Sequence, residues 1–163
     1  MKQFLLLAVL FGMSEQLIAQ RRATGAEFNA ATIAATPIKI PLSLRSFRGL
    51  PAAWSLEAYC PTPGDQGQHG TCVAFANGYG VATILYAINH NITDRNIINQ
   101  YAFSPTYLYE QIKHPEDADC QKGSDPIKAI LTMIQSGDAL MKTVPYQCGT
   151  PLVEHAIKEA ANY

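Results

Sequence analysis

The segment Asp65–Phe75, DQGQHGTCVAF, holds the residues of this chain best suited to covalent chemistry. Cys72 offers a thiol, and a thiolate can attack a carbonyl carbon. Thr71 suits the N-cap of a following helix, which would place Cys72 at the positive end of the helix dipole, where thiolates are favoured. Gln66 lies six residues earlier, and the glycines in between would let the turn carry its amide back to the sulfur. The segment therefore predicts a nucleophilic cysteine at a helix start.

Attack on a carbonyl creates an oxyanion, which needs hydrogen-bond donors. The backbone N–H of Cys72 is one candidate, because the first N–H groups of a helix have no partner within that helix. The side-chain amide of Gln66 is the other candidate. Taken by itself, the pattern is also compatible with a buried structural cysteine at a helix start, which is a common arrangement.

An acyl-transferring thiol also needs a base, and the four histidines offer no clear one. His69, on the turn three residues before Cys72, is expected to point to solvent or to fill space. His90 ends the predicted helix and is too far along it to reach the sulfur. His114 is expected in an exposed loop and His155 on an exposed helix face. No spacing of ligand-type residues indicates a metal site, and we expect no cofactor.

The segment resembles the active-site string of the papain-like cysteine proteases, Gln-Gly-x-x-Gly-x-Cys-x-Ala-Phe. All six fixed positions match, and in this chain they are Gln66, Gly67, Gly70, Cys72, Ala74 and Phe75. The likeness extends from about Leu50 to Gln147 through the strings FSPTYLYEQI, DCQKGSDPIKAILTMIQSGD and VPYQ. With YCPTPGDQGQ in front, the string resembles the bacterial secreted branch of the family.

The resemblance implies a peptidase in which Cys72 is the catalytic nucleophile and Gln66 donates to the oxyanion. It also implies that the backbone at Gly123 and Ser124 binds the peptide substrate, although the family has a second glycine where this chain has Ser124. A peptide or protein is therefore the expected substrate.

The same resemblance implies an α+β papain-like fold, represented mainly by its helical left-hand subdomain, with the β-barrel right-hand subdomain absent. Members of the family carry the base histidine and its orienting asparagine about 130–150 residues after the cysteine. The sequence ends 91 residues after Cys72. We therefore expect the N-terminal half of a peptidase domain, inactive alone and lacking the C-terminal half of its own domain.

Helical spacing of apolar residues, together with capping residues, predicts four helices. They run from Cys72 to His90, from Ser104–Pro105 to about Lys113, from Ser124 or Asp125 to Gly137, and from Val153 to Tyr163. Between the first two, Asn91–Phe103 is predicted to be a polar connection without regular structure.

The N-terminus predicts an exported protein. Lys2 precedes the apolar run Phe4–Met13, which is shorter than the roughly 20 residues of a membrane span. The run suits the core of a signal peptide cleaved after Ala19. We divide the chain into a signal peptide (1–19), an extended N-terminal arm or short propeptide (20–49) and the peptidase half (50–163). The product is expected to be secreted or periplasmic, without membrane association after cleavage.

The chain has four cysteines, Cys60, Cys72, Cys120 and Cys148, and an oxidising compartment permits disulfides among them. Three full pairings are possible. If Cys72 stays a thiol, we prefer the pair Cys120–Cys148, because the two flank one helix, and Cys60–Cys120 is nearly as good. The family's disulfide to the active-site turn is not available, because His69 stands where the family has a cysteine.

Composition excludes some functions and leaves others open. A hydrophobic content of 48% and a net charge of −1 indicate a globular protein without the basic patch of a nucleic-acid-binding protein. Two alternatives to a peptidase remain: a catalytically dead papain-like binding module, and another thiol acyltransferase with a cysteine at a helix start. The presence of both Gln66 and Cys72 argues against the first, and the spacing between them argues against the second.

Overall fold

The computed structural model describes residues 25–36 and 51–163. The predicted signal peptide and the arm residues 20–24 and 37–49 lie outside these ranges. The described part contains six α-helices and a 3₁₀ turn at Glu57–Tyr59. The helices are α1 (Ala30–Ala35), α2 (Cys72–Asn89), α3 (Arg95–Gln100), α4 (Pro105–Ile112), α5 (Pro126–Ser136) and α6 (Glu154–Ala160).

The predicted α+β class is wrong for the described residues. They form helices and two isolated bridges, Ala26 with Ser124 and Phe103 with Leu140, but no strand or sheet. Pro51, Pro61 and Pro63 disfavour a strand in the segment before Cys72, because proline has no N–H to donate to a strand ladder.

Helix α2 is the long helix that the sequence predicted after Thr71, but its middle is wider than an α-helix. Its first turn is α-helical, Phe75–Ala82 is π-helical, and Thr83–Asn89 is α-helical again. Apolar spacing does not distinguish a π-helical stretch from an α-helical one. Among the described residues, α2 alone is long and apolar enough to cross a bilayer, a property that core helices of soluble proteins share.

The predicted starts of α4 and α5 are confirmed. The Ser104 hydroxyl accepts a hydrogen bond from the N–H of Tyr107 at 3.1 Å and donates to the carbonyl of Val144 at 2.6 Å. Of the two candidates for the cap of α5, Asp125 is the one used: its Oδ1 accepts from the N–H of Ile127 at 2.7 Å.

Two predicted irregular segments contain short helices. Within the expected polar connection, Asp94 caps α3 by accepting from the N–H of Asn96 at 2.8 Å. Within the expected extended arm, Asn29 caps α1. Both helices have only six residues, which is too short for apolar periodicity to show them.

Helix α4 lies at the centre of the described part and supplies two buried clusters. Leu108, Tyr109 and Ile112 pack with the first turn of α2 and with Ala129 of α5. Tyr107, from the same helix, packs with Val144 and with two alanines of α6. The start of α2, which carries Cys72, is therefore held against the core of the described part.

Candidate active site

Gln66 folds back onto Cys72, the first residue of α2. Its Nε2 atom lies 3.0 Å from the Cys72 sulfur and 2.8 Å from the carbonyl oxygen of His69, to which it donates. Gly67, at φ 61°, allows the reversal of the chain between them. The structure thus places in contact the two residues that the sequence assigned to nucleophile and oxyanion donor.

Thr71 occupies the N-cap position of α2, but its side chain makes no capping hydrogen bond. Its hydroxyl instead lies 2.8 Å from the hydroxyl of Tyr146. The Tyr146 hydroxyl also donates to the backbone carbonyl of Gln66 at 2.8 Å. Sequence reasoning missed Tyr146, and the only signal for it was the family-like string VPYQ.

The backbone of Ser124 pairs with an extended segment from the N-terminal arm. The Ser124 N–H donates to the carbonyl of Gly25 at 2.9 Å, and the Glu27 N–H donates to the carbonyl of Ser124 at 3.0 Å. The Ser124 hydroxyl is buried and has no hydrogen-bond partner among the described residues. Ser124 therefore binds this segment through its backbone alone.

Glycines let this segment lie close to Cys72. A Cβ atom on Gly25 would overlap the carbonyl of Gly70 and lie 2.9 Å from the Cys72 nitrogen. A Cβ atom on Gly123, which has φ 86°, would lie 2.7 Å from the Gly25 oxygen. The arm segment, the turn before Cys72 and the loop before α5 therefore meet at distances that only glycine permits.

A buried network fixes the loop that carries Gly123 and Ser124. The Tyr109 hydroxyl donates to Asp117 Oδ2 at 2.6 Å and accepts from the Gly123 N–H at 3.1 Å. Asp117 Oδ1 accepts from the Gln121 N–H at 2.9 Å. Burial opposes ionisation of Asp117, but hydrogen bonds from Tyr109 and from backbone N–H groups leave its pKa lowered. Asp117 is therefore an ionised acceptor inside the loop.

Cys120 and Cys148 form a disulfide, the pair that the sequence preferred, with Cα atoms 6.0 Å apart. Cys60 and Cys72 take no part in it. The Gly70 N–H donates to the Cys120 carbonyl at 2.6 Å. A backbone hydrogen bond thus links the turn before Cys72 to this loop.

Three of the histidine rings contact either an aromatic ring or a carboxylate. His69 lies edge-on to Tyr146, with ring centroids 6.2 Å apart. His90 stacks on Tyr86, with centroids 4.0 Å apart, at the C-terminal end of α2. His114, expected to be exposed in a loop, lies 2.7 Å from a Glu27 carboxylate oxygen.

His155 is exposed on α6. Within residues 25–36 and 51–163, no group of three or more His, Cys, Asp or Glu side chains is arranged to hold a metal.

A cavity of about 540 Å³ lies at the other end of α2, away from Cys72. Its walls are mostly apolar and aromatic and include Tyr86, Phe103, Ile134 and Tyr163. None of the residues assigned to catalysis lines it.

No family model, curated protein or solved structure matches this chain. The function proposed for it therefore rests on the residues of the site and on their geometry.

Proposed function

We propose that Cys72 is the nucleophile of a cysteine-type peptidase that acts on peptide or protein substrates. One observation carries the proposal: the Gln66 amide nitrogen lies 3.0 Å from the Cys72 sulfur, at the first residue of an 18-residue helix. A donor amide and a helix N-terminus thus converge on one thiol. Both are features that favour a thiolate and an oxyanion in the same place.

The chemistry follows from these groups. The Cys72 thiolate attacks the carbonyl carbon of a peptide bond, a C–S bond forms, and the carbonyl electron pair moves onto oxygen. Gln66 Nε2 and the backbone N–H of Cys72 donate to that oxyanion. When it collapses, the C–N bond breaks, and the amine takes up a proton from water as it leaves. Water then hydrolyses the thioester, which releases the acid and restores the thiol.

The arm segment supports a peptide as substrate. Gly25 and Glu27 already use the N–H and C=O of Ser124 as an extended chain would, beside Cys72. A substrate in an extended conformation would find the same backbone pair on Ser124. Because both cannot bind at once, the arm segment must leave before a peptide enters.

A peptide aldehyde tests the proposal, because its carbonyl carbon becomes tetrahedral on attack and its oxygen becomes the oxyanion. We expect the full chain to convert a ¹³C-labelled peptide aldehyde to a thiohemiacetal, observed by NMR. Cys72→Ala should form none. Gln66→Ala should bind the aldehyde about 10- to 100-fold more weakly, because one oxyanion donor is lost.

The same experiment separates the alternatives. Peptide binding without a covalent adduct would contradict the peptidase and indicate a binding module. A thiol acyltransferase would also form the adduct, but with a peptide ester it would transfer the acyl group to an added amine faster than to water. Equal affinity of wild type and Gln66→Ala for the peptide aldehyde would show that Gln66 does not donate to the oxyanion.

A further inference from the structure

The Tyr146 hydroxyl lies between the chain segment that carries Gln66 and the start of α2. It donates to the backbone carbonyl of Gln66 at 2.8 Å and lies 2.8 Å from the hydroxyl of Thr71, the residue before Cys72. The backbone carrying the Gln66 amide and the start of α2 are therefore joined through one side chain.

The ring of Tyr146 is fixed independently of these hydrogen bonds. It packs edge-to-face on Phe75 of α2, with centroids 4.8 Å apart, and contacts the ring of His69. Burial raises the pKa of the Tyr146 phenol, although the hydrogen bond with Thr71 opposes this shift. The phenol therefore stays protonated at neutral pH and remains a hydrogen-bond donor.

We propose that Tyr146 is a positioning residue that sets the distance between the Gln66 amide and the Cys72 sulfur. This inference rests on the proposed function, because it assigns Tyr146 to the same oxyanion site. The backbone carbonyl of Gln66 accepts a hydrogen bond from Tyr146, while the side-chain amide of Gln66 contacts the Cys72 sulfur. A shift of about 1 Å in such a donor can cost as much as 100-fold in rate.

The test replaces only the hydroxyl. In Tyr146→Phe the ring can keep its contacts with Phe75 and His69. We expect the affinity for a peptide aldehyde to fall about tenfold, because the oxyanion loses an aligned donor. We expect the rate of Cys72 alkylation by iodoacetamide to change less than twofold, because that reaction forms no oxyanion.

Tyr79→Phe is the matched control. Tyr79 is also half-buried, also contacts the Phe75 ring, and donates its hydroxyl to a loop carbonyl, that of Thr62, at 2.6 Å. Its loss removes an equivalent hydrogen bond from the same region without touching Gln66. We expect aldehyde affinity within twofold of wild type.

A double variant tests whether Tyr146 acts through Gln66. If it does, Gln66→Ala combined with Tyr146→Phe should bind the aldehyde no more weakly than Gln66→Ala alone. Additive losses would contradict the inference. Unchanged affinity in Tyr146→Phe, or an equal loss of aldehyde affinity and alkylation rate, would also overturn it.

Failure of the proposed function would look different, because the wild-type chain itself would then form no adduct. The side-chain amide resonances of Gln66, assigned by their loss in Gln66→Ala, then decide about Tyr146. If they move in Tyr146→Phe and not in Tyr79→Phe, the positioning role stands. If they stay in place in both variants, it does not.

Discussion

At the scale of single residues, the buried carboxyl group of Asp138 has surroundings that are unfavourable for a negative charge. Its carboxylate is buried, and neither oxygen has a hydrogen-bond partner of good geometry among the described residues. It lies against Gly78 of α2. Burial raises the pKa of Asp138 well above its usual range, and the backbone N–H of Ala139 opposes this shift only in part. At pH values between the pKa of the unfolded chain and that of the folded protein, Asp138 therefore keeps a proton in the folded protein that it loses on unfolding.

This difference predicts how stability depends on pH. Because the pKa of Asp138 is raised in the folded state, the contribution of Asp138 to the free energy of unfolding is most favourable below about pH 4. It declines as pH rises towards the folded pKa. One such group lowers the free energy of unfolding by up to about 1.4 kcal/mol per pH unit in that range. Urea unfolding of wild type and Asp138→Asn between pH 4 and 8 measures it.

We expect the Asn variant to lack this decline. Asp119→Asn, which changes an exposed carboxylate, should retain it. Parallel pH profiles for wild type and Asp138→Asn would show that the buried carboxylate is not the source.

Local and distant contacts at the site differ in how far the sequence predicts them. The contact between Gln66 and Cys72 spans six residues and one turn, so residue types and glycines were enough to suggest it. Tyr146 reaches Thr71 and Gln66 across 75 and 80 residues. Nothing in local propensity indicates such partners, because only the packed fold brings them together.

At the scale of elements, the loop between α4 and α5 depends on a side chain of α4. The Tyr109 hydroxyl accepts a hydrogen bond from the Gly123 N–H and donates one to Asp117, and all three residues are buried. Phenylalanine at this position would leave a buried N–H and a carboxylate oxygen without that partner. Unpaired buried groups of this kind cost about 1–3 kcal/mol.

We therefore expect Tyr109→Phe to lower the free energy of unfolding by about 1–3 kcal/mol, as measured by urea unfolding. It should also weaken peptide-aldehyde binding, because Ser124 follows Gly123 in the loop. Tyr101→Phe, which changes a half-buried tyrosine stacked on Tyr86, serves as the control and should change both quantities little. Wild-type stability in Tyr109→Phe would contradict this account of the loop.

Element boundaries were predictable where one residue defines them. Ser104, Asp125 and Gly137 mark the ends of α4 and α5 because a cap is a local hydrogen bond or a local backbone conformation. Helix α3 was missed because its six residues carry one buried apolar side chain, Ile98. The expected α+β class was wrong for the described residues because it came from a family likeness and not from an alternating pattern in the residues.

At the scale of the whole molecule, residues 25–27 of the N-terminal arm lie against the proposed site. Gly25–Glu27 pairs with Ser124, and Glu27 contacts His114 at the end of α4. The arm segment lies directly against the active-site turn. Access to Cys72 should therefore depend on residues that the sequence assigned to a separate extended arm.

Displacing the arm segment should expose the thiol. Gly25→Ala places a methyl group where the Gly70 carbonyl lies, so the segment must move away. We expect iodoacetamide to alkylate Cys72 several-fold faster in this variant, as measured by peptide mass spectrometry. Ala26→Val changes the neighbouring exposed side chain and should react at the wild-type rate. If Gly25→Ala also reacts at the wild-type rate, the arm does not cover the thiol.

The most direct test of the central claim compares two thiols in one molecule. Cys60 and Cys72 are both half-buried and outside the disulfide, but only Cys72 starts a long helix and contacts a glutamine amide. The full chain is treated with an epoxysuccinyl peptide, and the labelled residues are identified by peptide mapping. A peptidase nucleophile predicts labelling of Cys72 at least about tenfold faster than Cys60, with slower labelling of Cys72 in the presence of a competing peptide aldehyde. Equal labelling of the two cysteines, or an unlabelled Cys72, would contradict it.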